Sequence, residues 1–304
     1  MTASDSTRLP PLAAAAVDRA PDERATPGLI ETARADPATR VLVLAGDTAP
    51  LAGPAELRWV APAAVPPGGE WALLGRDRDG APLLTAVFEK AEEKPFENAA
   101  GWAGLRAIGG ALAPHDAGAF VEALSLGRWL LDAPFCPACG ALTMLADAGW
   151  SRRCPSCGRQ HFPRTDPAVI VAITSAQDPD LLLLGSNALW GAERYSCFAG
   201  FVEAGESLEA AVQREVAEES GIQVAAVEYR GSQAWPYPRS LMLGFLATAS
   251  DDDAARADGE EIAAVRWFTR DAIGAALAGE GDVVLPGRAS IAHRLISDWH
   301  AGVA

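Results

Sequence analysis

Two cysteine knuckles restrict what this chain can fold into more than any other feature. Cys136-Pro-Ala-Cys139-Gly and Cys154-Pro-Ser-Cys157-Gly are separated by fourteen residues. In such knuckles two thiolates turn towards one ion, and the glycine permits the sharp turn. Four sulfurs close a tetrahedral shell, so Cys136, Cys139, Cys154 and Cys157 are expected to hold a structural zinc with no open position. Zinc contributes roughly 10–16 kcal/mol to small finger peptides, enough to fold so short a segment. The rival, a pair of disulfides in an exported protein, conflicts with a composition that otherwise reads as cytosolic. Few basic residues beyond Arg152, Arg153 and Arg159 accompany the knuckles, which weakens a nucleic-acid role for them. Cys197, the fifth cysteine, has no partner and reads as a packing residue.

The ribbon divides a chain of 304 residues, a length that suggests two or so domains. Residues 1–28 are rich in Ala, Pro, Asp and Arg without a period and are expected to form a flexible lead-in. β-like runs at Arg40–Leu44, Glu70–Leu74 and Pro82–Phe88, followed by an amphipathic helix over 117–132, predict an α+β domain over 29–132. The ribbon takes 133–163 and a third domain 164–304. In that last part Ala168–Thr174, Asp180–Gly185, Val224–Tyr229, Met242–Thr248 and Val265–Phe268 read as strands, and Ile291–His300 as a closing helix. No internal repeat is visible. The net charge of −15 argues against a general nucleic-acid binder, whose affinity leans on neutralising phosphates, though one local basic patch stays open. No apolar run reaches the roughly 18 residues of a membrane span. The stretch LPPLAAAAV near the N-terminus is interrupted by prolines and flanked by Asp5 and Asp18, unlike an export signal. A cytoplasmic protein without membrane contact is expected.

Residues 200–222 read GFVEAGESLEAAVQREVAEESGI. Ser207 is a natural N-cap, Glu209 sits in the first turn and Gly221 is a helix stop. On the helix between them Glu215, Glu218 and Glu219 fall in one arc of roughly 100°, beside the apolar stripe of Leu208, Val212 and Val216. Like charges next to a core-facing stripe repel and lose hydration, and a divalent cation relieves both costs. Mg²⁺ and Mn²⁺ favour hard oxygen ligands and bridge carboxylates to phosphates. The plainer reading is a solvated acidic face.

The full pattern G-x5-E-x7-R-E-U-x-E-E-x-G-U, with U apolar, is filled by Gly200, Glu206, Arg214, Glu215, Val216, Glu218, Glu219, Gly221 and Ile222. It resembles the signature of the Nudix hydrolases. Downstream, Ser232-Gln233-Ala234-Trp235-Pro236-Tyr237-Pro238-Arg239-Ser240 is similar to the SQPWPFPxS motif of the NADH pyrophosphatase branch, with Ala234 for a proline and Tyr237 for a phenylalanine. The order of N-terminal domain, four-cysteine ribbon and box belongs to the same branch. The resemblance implies an α/β Nudix sandwich with a mixed sheet, a family that is generally dimeric, and hydrolysis of NAD(H) to AMP and nicotinamide mononucleotide, with removal of NAD caps from RNA beside it. It further implies Mg²⁺ or Mn²⁺ held by Glu215, Glu218, Glu219, Ala199 and Glu261, with Glu260 the close rival of Glu261. Glu206 paired with Arg214 supports the loop. Substrate contacts are implied at Arg106, Phe162, Ala199, Ala292 and the segment Gln233–Ser240. Physically, prolines stiffen that segment, Trp235 and Tyr237 offer faces for a base, and Gln233 and Ser240 offer hydrogen bonds. Two alternatives remain at this level: another diphosphate such as ADP-ribose, and a non-catalytic zinc-ribbon module that uses the box as scaffold.

Overall fold

The computed structural model describes residues 12, 17–89, 99–191 and 193–303. They divide into two compact units, one of Ala14–Thr165 with Trp235–Arg239, the other of Asp166–Ala234 with Ser240–Ala304.

In the first unit helix α1 (Leu29–Ala35) precedes strands β1 (Arg40–Ala45), β2 (Thr48–Gly53), β3 (Glu56–Leu57), β4 (Glu70–Arg76), β5 (Pro82–Phe88) and β6 (Gly101–Gly104). Helices α2 (Leu105–Ile108) and α3 (Pro114–Asp132) follow. The strands form one mixed sheet in the order β3-β2-β1-β5-β4, with β6 on β2. β1 and β5 run parallel, which explains their unbroken apolar character: Val41–Leu44 and Leu83–Val87 are buried on both faces. The proline at the first turn of α3 fits the vacant donor there, and Phe120 and Leu124 of α3 are fully buried. The ribbon strands β7 (Met144–Ala146), β8 (Ser151–Arg153) and β9 (Gln160–His161) make a small antiparallel sheet in the same unit.

The expectation of a flexible 1–28 is corrected from Asp18 onward. Asp18 exchanges two backbone hydrogen bonds with Arg76, at 3.1 and 2.7 Å, and the Arg76 guanidinium grips Glu23 at 2.8 and 2.6 Å. The approach depends on Gly75, where a Cβ would stand 2.0 Å from the Asp18 carbonyl oxygen. Residues 1–11 and 13–16 lie outside the described residues.

The second unit holds β10 (Asp166–Thr174), β11 (Leu181–Asn187), β12 (Phe198–Phe201), α4 (Leu208–Ser220), β13 (Val224–Trp235), β14 (Ser240–Ala249), β15 (Ile262–Thr269), α5 (Arg270–Leu277) and α6 (Ile291–His300). Its sheet runs β13-β14-β10-β11-β15, with β12 on β10. β10 lies at the centre, and its alternate residues face two cores. Val169, Val171 and Ile173 join Val212 and Val216 of α4 on one side. Ile170 and Ala172 join Ile291, Leu295 and Trp299 of α6 on the other. Helices therefore cover both faces of a mixed sheet, the layered sandwich expected from sequence.

The sheets repeat one plan. Read from the outside, β3-β2-β1-β5-β4 corresponds to β15-β11-β10-β14-β13, with a parallel central pair in each, β1 with β5 and β10 with β14. Sequence inspection found no repeat, and this is a correction. The order of the five-strand path is shared, whereas the sixth strands differ: β6 pairs β2, the counterpart of β11, and β12 pairs β10. Among the described residues the first half shows no counterpart of α4, and the short segment 58–69 joins β3 to β4. Among the described residues no helix is long and apolar enough to cross a membrane.

Candidate active site

Helix α4 sets the site. The Ser207 hydroxyl accepts from the Ala210 N–H at 3.2 Å, and Gly221 closes the helix at φ 69°. Val212 and Val216 face the core, so the adjoining acidic arc lies at its margin. Glu219 is 5 % exposed and accepts a hydrogen bond from the Ala199 backbone N–H at 3.2 Å. Glu215 lies over Gly200 so closely that a Cβ there would meet its carboxyl carbon at 1.9 Å. Glycine at this position leaves the Glu215 carboxyl the space it occupies. Glu218, by contrast, stands largely in solvent.

Arg214 ties the preceding loop to the helix. Its Nε and Nη2 donate to the two oxygens of Glu206, each at 2.9 Å, and Nη2 also reaches the Phe201 carbonyl at 2.9 Å. Nη1 pairs with Glu215 at 2.8 Å and Glu218 at 3.2 Å. Glu206 additionally accepts from the Glu203 N–H at 3.0 Å. The Arg214 hydrogen bond first, then the Glu203 amide, hold the Glu206 carboxyl down to about 2. Glu206 is therefore an anchoring anion.

The interior carboxyls behave oppositely. Burial, then the charge of Glu261, pushes Glu219 up to about 8, with Glu215 and Asp258 adding to the rise. Burial likewise raises Glu215, against the pull of Arg214, and Glu218 and Glu261 raise it further. Glu261 thus acts on both Glu215 and Glu219. Asp258 was not singled out from sequence. It accepts from the N–H groups of Glu260, Glu261 and Ile262 at 3.0, 3.3 and 2.8 Å and fixes the turn that presents Glu261. The Asp258-Gly259 turn signal ahead of Glu261 carried that information. Crowded, partly dehydrated hard oxygens are the donor set a divalent cation suits.

The ribbon cysteines fit zinc by distance. The four Sγ atoms lie within 4.8 Å of one another. Cys136 and Cys157 are 3.7 Å apart and Cys139 and Cys154 3.5 Å. A tetrahedron with Zn–S near 2.3 Å needs edges of about 3.8 Å. Gly140 and Gly158 both adopt φ 74°, as the knuckle turn demands. The His161 Nε2 stands 3.2 Å from Cys136 Sγ, a neighbour that spacing alone did not reveal. Cys197 is buried, and burial pushes its thiol up to about 12, in keeping with a packing role.

The tryptophan segment departs from expectation in two respects. Ser232–Trp235 are the end of strand β13, so the loop proper is Pro236–Arg239. Gln233 is 1 % exposed: its Nε2 donates to the Ala289 carbonyl and its Oε1 accepts from the Ile291 N–H, each at 2.8 Å. It caps α6 from the sheet, which corrects its expected contact with a ligand. Ala292 is likewise buried, in the core beneath α6. Ser240 is 6 % exposed, whereas Pro238 and Arg239 are exposed and Ala234 is half-buried. Phe162 is exposed beyond the ribbon. Trp235 and Tyr237 meet edge to face with centroids 5.3 Å apart. The Arg106 guanidinium stands 4.1 Å from the Tyr237 ring centre and 5.6 Å from that of Trp235. Two cavities of about 640 and 520 Å³ in the first unit contain none of the box carboxylates.

Residues 12–129 match the NADH pyrophosphatase-like rudimentary NUDIX domain, 132–162 the NADH pyrophosphatase zinc ribbon domain, and 164–285 the NUDIX domain. The chain is 43% identical over 204 residues to the NAD-capped RNA hydrolase NudC of Mycobacterium tuberculosis, covering 65% of this chain and 64% of that protein. It is 39% identical to the human NAD-capped RNA hydrolase NUDT12, covering 62% of this chain and 42% of that one. The matched stretch thus spans under two thirds of either relative's length. A Nudix hydrolase structure from Nitrosomonas europaea is similar at 24% identity and TM-score 0.40, covering 55% of this chain and 93% of that one. A rudimentary copy, a four-cysteine ribbon and a box-bearing domain follow one another along the sequence, and by these matches the chain carries the three domains of the NADH pyrophosphatase branch of the Nudix superfamily.

Proposed function

We propose that this protein hydrolyses the diphosphate of NAD(H) to AMP and nicotinamide mononucleotide, and that it removes NAD caps from RNA. The observation that carries the reading is the set of carboxyls Glu215, Glu219 and Glu261 at the edge of the core, where burial and the charge of Glu261 raise both helix carboxyls although Arg214 pairs with Glu215 and the Ala199 N–H with Glu219. The two relatives are NAD-capped RNA hydrolases, which supports the substrate.

Glu215, Glu218, Glu219 and Glu261, with the backbone of Ala199, would hold Mg²⁺ or Mn²⁺. When bound, the cation supplies charge neutralisation at the phosphorus oxygens and a more acidic water. Arg214 fixes the loop and the helix relative to each other through Glu206 and Phe201, so the carboxylates do not have to be ordered on binding. Water attacks one phosphorus, its oxygen bonds there, the anhydride P–O bond breaks, and the other phosphate leaves with the electron pair. A carboxylate of the cluster takes the proton. Trp235, with Pro236–Arg239, Arg106 and Phe162, serves base recognition. The ribbon zinc is structural. We read the protein as cytoplasmic and homodimeric, with boundaries near 132 and 163.

The test is a panel of NADH, NAD⁺, ADP-ribose and NAD-capped RNA with Mg²⁺ or Mn²⁺, with the products identified. The expected result is AMP with nicotinamide mononucleotide, and 5′-monophosphate RNA from the capped transcript. Preference for ADP-ribose refutes the NAD(H) assignment, and binding without turnover refutes hydrolysis.

A further inference from the structure

Arg128 of α3 lies outside the box, the ribbon and the tryptophan motif, yet it stands at the same aromatic ring as Arg106. Its Cζ is 5.3 Å from the Tyr237 ring centre, within cation–π range. Its fork is committed elsewhere: Nε donates to Asp47 Oδ1 at 2.9 Å and Nη2 to Oδ2. Asp47 belongs to the two-residue turn between β1 and β2, which pairs Ala45 with Thr48. Tyr237 is held from the other direction by Arg106, whose guanidinium stands 4.1 Å from the ring centre. Two guanidiniums at one ring repel each other. A carboxylate paired to one of them removes that penalty and keeps both stacks. With Nε and Nη2 on Asp47, the orientation of the Arg128 guanidinium is set by that carboxylate.

We infer that Arg128, anchored by Asp47, is a positioning residue that fixes the Tyr237 ring in the orientation in which the loop receives a base of the dinucleotide. The inference rests on the reading that this loop binds the substrate's base. The β1–β2 turn and α3 of the rudimentary copy therefore set substrate affinity, although that copy carries no acidic helix.

The experiment measures kcat and KM for NADH hydrolysis by the full chain, with melting temperature. Absence of turnover in the wild type refutes the proposed function and is distinct from the outcomes that follow. Arg128→Ala is expected to raise KM about tenfold, the scale of a misaligned base stack, with kcat within about twofold. Asp47→Asn should shift KM in the same direction, and Arg128→Lys should recover part of the loss. Arg128→Ala combined with Tyr237→Ala should be no worse than Tyr237→Ala alone, because one acts through the other. An unchanged KM in Arg128→Ala overturns the inference, and so do additive losses in the double variant. Should Arg128→Ala fail to fold, Asp47→Asn and Arg128→Lys decide: KM at the wild-type value in both overturns it.

Discussion

Replacing Gly200 by alanine should separate turnover from stability. A Cβ at this position would stand 1.9 Å from the Glu215 carboxyl carbon and 2.0 and 2.1 Å from its oxygens. Ordinary contact begins near 3.4 Å, so the carboxyl must retreat by about 1.5 Å (3.4 less 1.9). The group that moves is the end of a flexible side chain, and Gly200 is not among the glycines with left-handed backbone. The fold can therefore absorb the change, and Gly→Ala in compatible backbone gains roughly 0.4–1 kcal/mol from the unfolded state. Catalysis cannot absorb it, since a misplacement of about 1 Å costs on the order of 10²-fold. The expected outcome is a melting temperature equal to or above the wild type, with kcat for NADH lower by about 10²- to 10³-fold. Stopped-time product analysis and thermal melts on the same preparation supply both numbers. Glu215→Gln should lose a similar amount, and adding Gly200→Ala to it should cost little more. Turnover of Gly200→Ala within about threefold of wild type would refute the proposed role of Glu215.

Other outcomes follow from single contacts. Glu219→Gln should lose several orders of magnitude in kcat while keeping its melting temperature, since burial already favours the uncharged form. Glu122 of α3 is buried near Arg19 and Arg24, and burial pushes it up to about 7. Its folded pKa exceeds the unfolded one, so its contribution to stability is complete below about pH 4.5 and declines as pH rises to about 7, by at most about 3 kcal/mol. Denaturant titrations across that window should show the decline in the wild type and its absence in Glu122→Gln. Gln233→Ala should cost about 2–4 kcal/mol, because it leaves the Ala289 carbonyl and the Ile291 N–H buried without their partner. A KM change without loss of stability in that variant would reinstate Gln233 as a ligand contact. Metal analysis should find one zinc per chain in the wild type and none in Cys154→Ser, which should also melt at a lower temperature.

Much of the site was legible because its residues carry local rules. Ser207 and Gly221 are capping residues, and the structure sets the helix between them. Pro82–Phe88 and Ile291–His300 match their observed elements residue for residue, since strong apolar runs and a 3.6-residue period need no tertiary help. β2, with sequence TAPLAG, was missed because proline and glycine argue against a strand, and its pairing with β1, β3 and β6 overrides that preference. β12, the short strand carrying Ala199 and Gly200, was missed for its length of four residues. Gln233 was misread because sequence does not distinguish an amide offered to a ligand from one spent on a helix start. Arg128 and Asp47 lie 81 residues apart, and nothing local marks them as partners.

The shared strand order of the two halves has an engineering consequence. The first half already owns the central parallel pair and the outer strands of the five-strand path, and where the second half carries its box helix it has the twelve-residue crossing 58–69. A transplant of the box loop and its helix into that crossing would show whether the first half is an inert frame or a second chassis awaiting its engine.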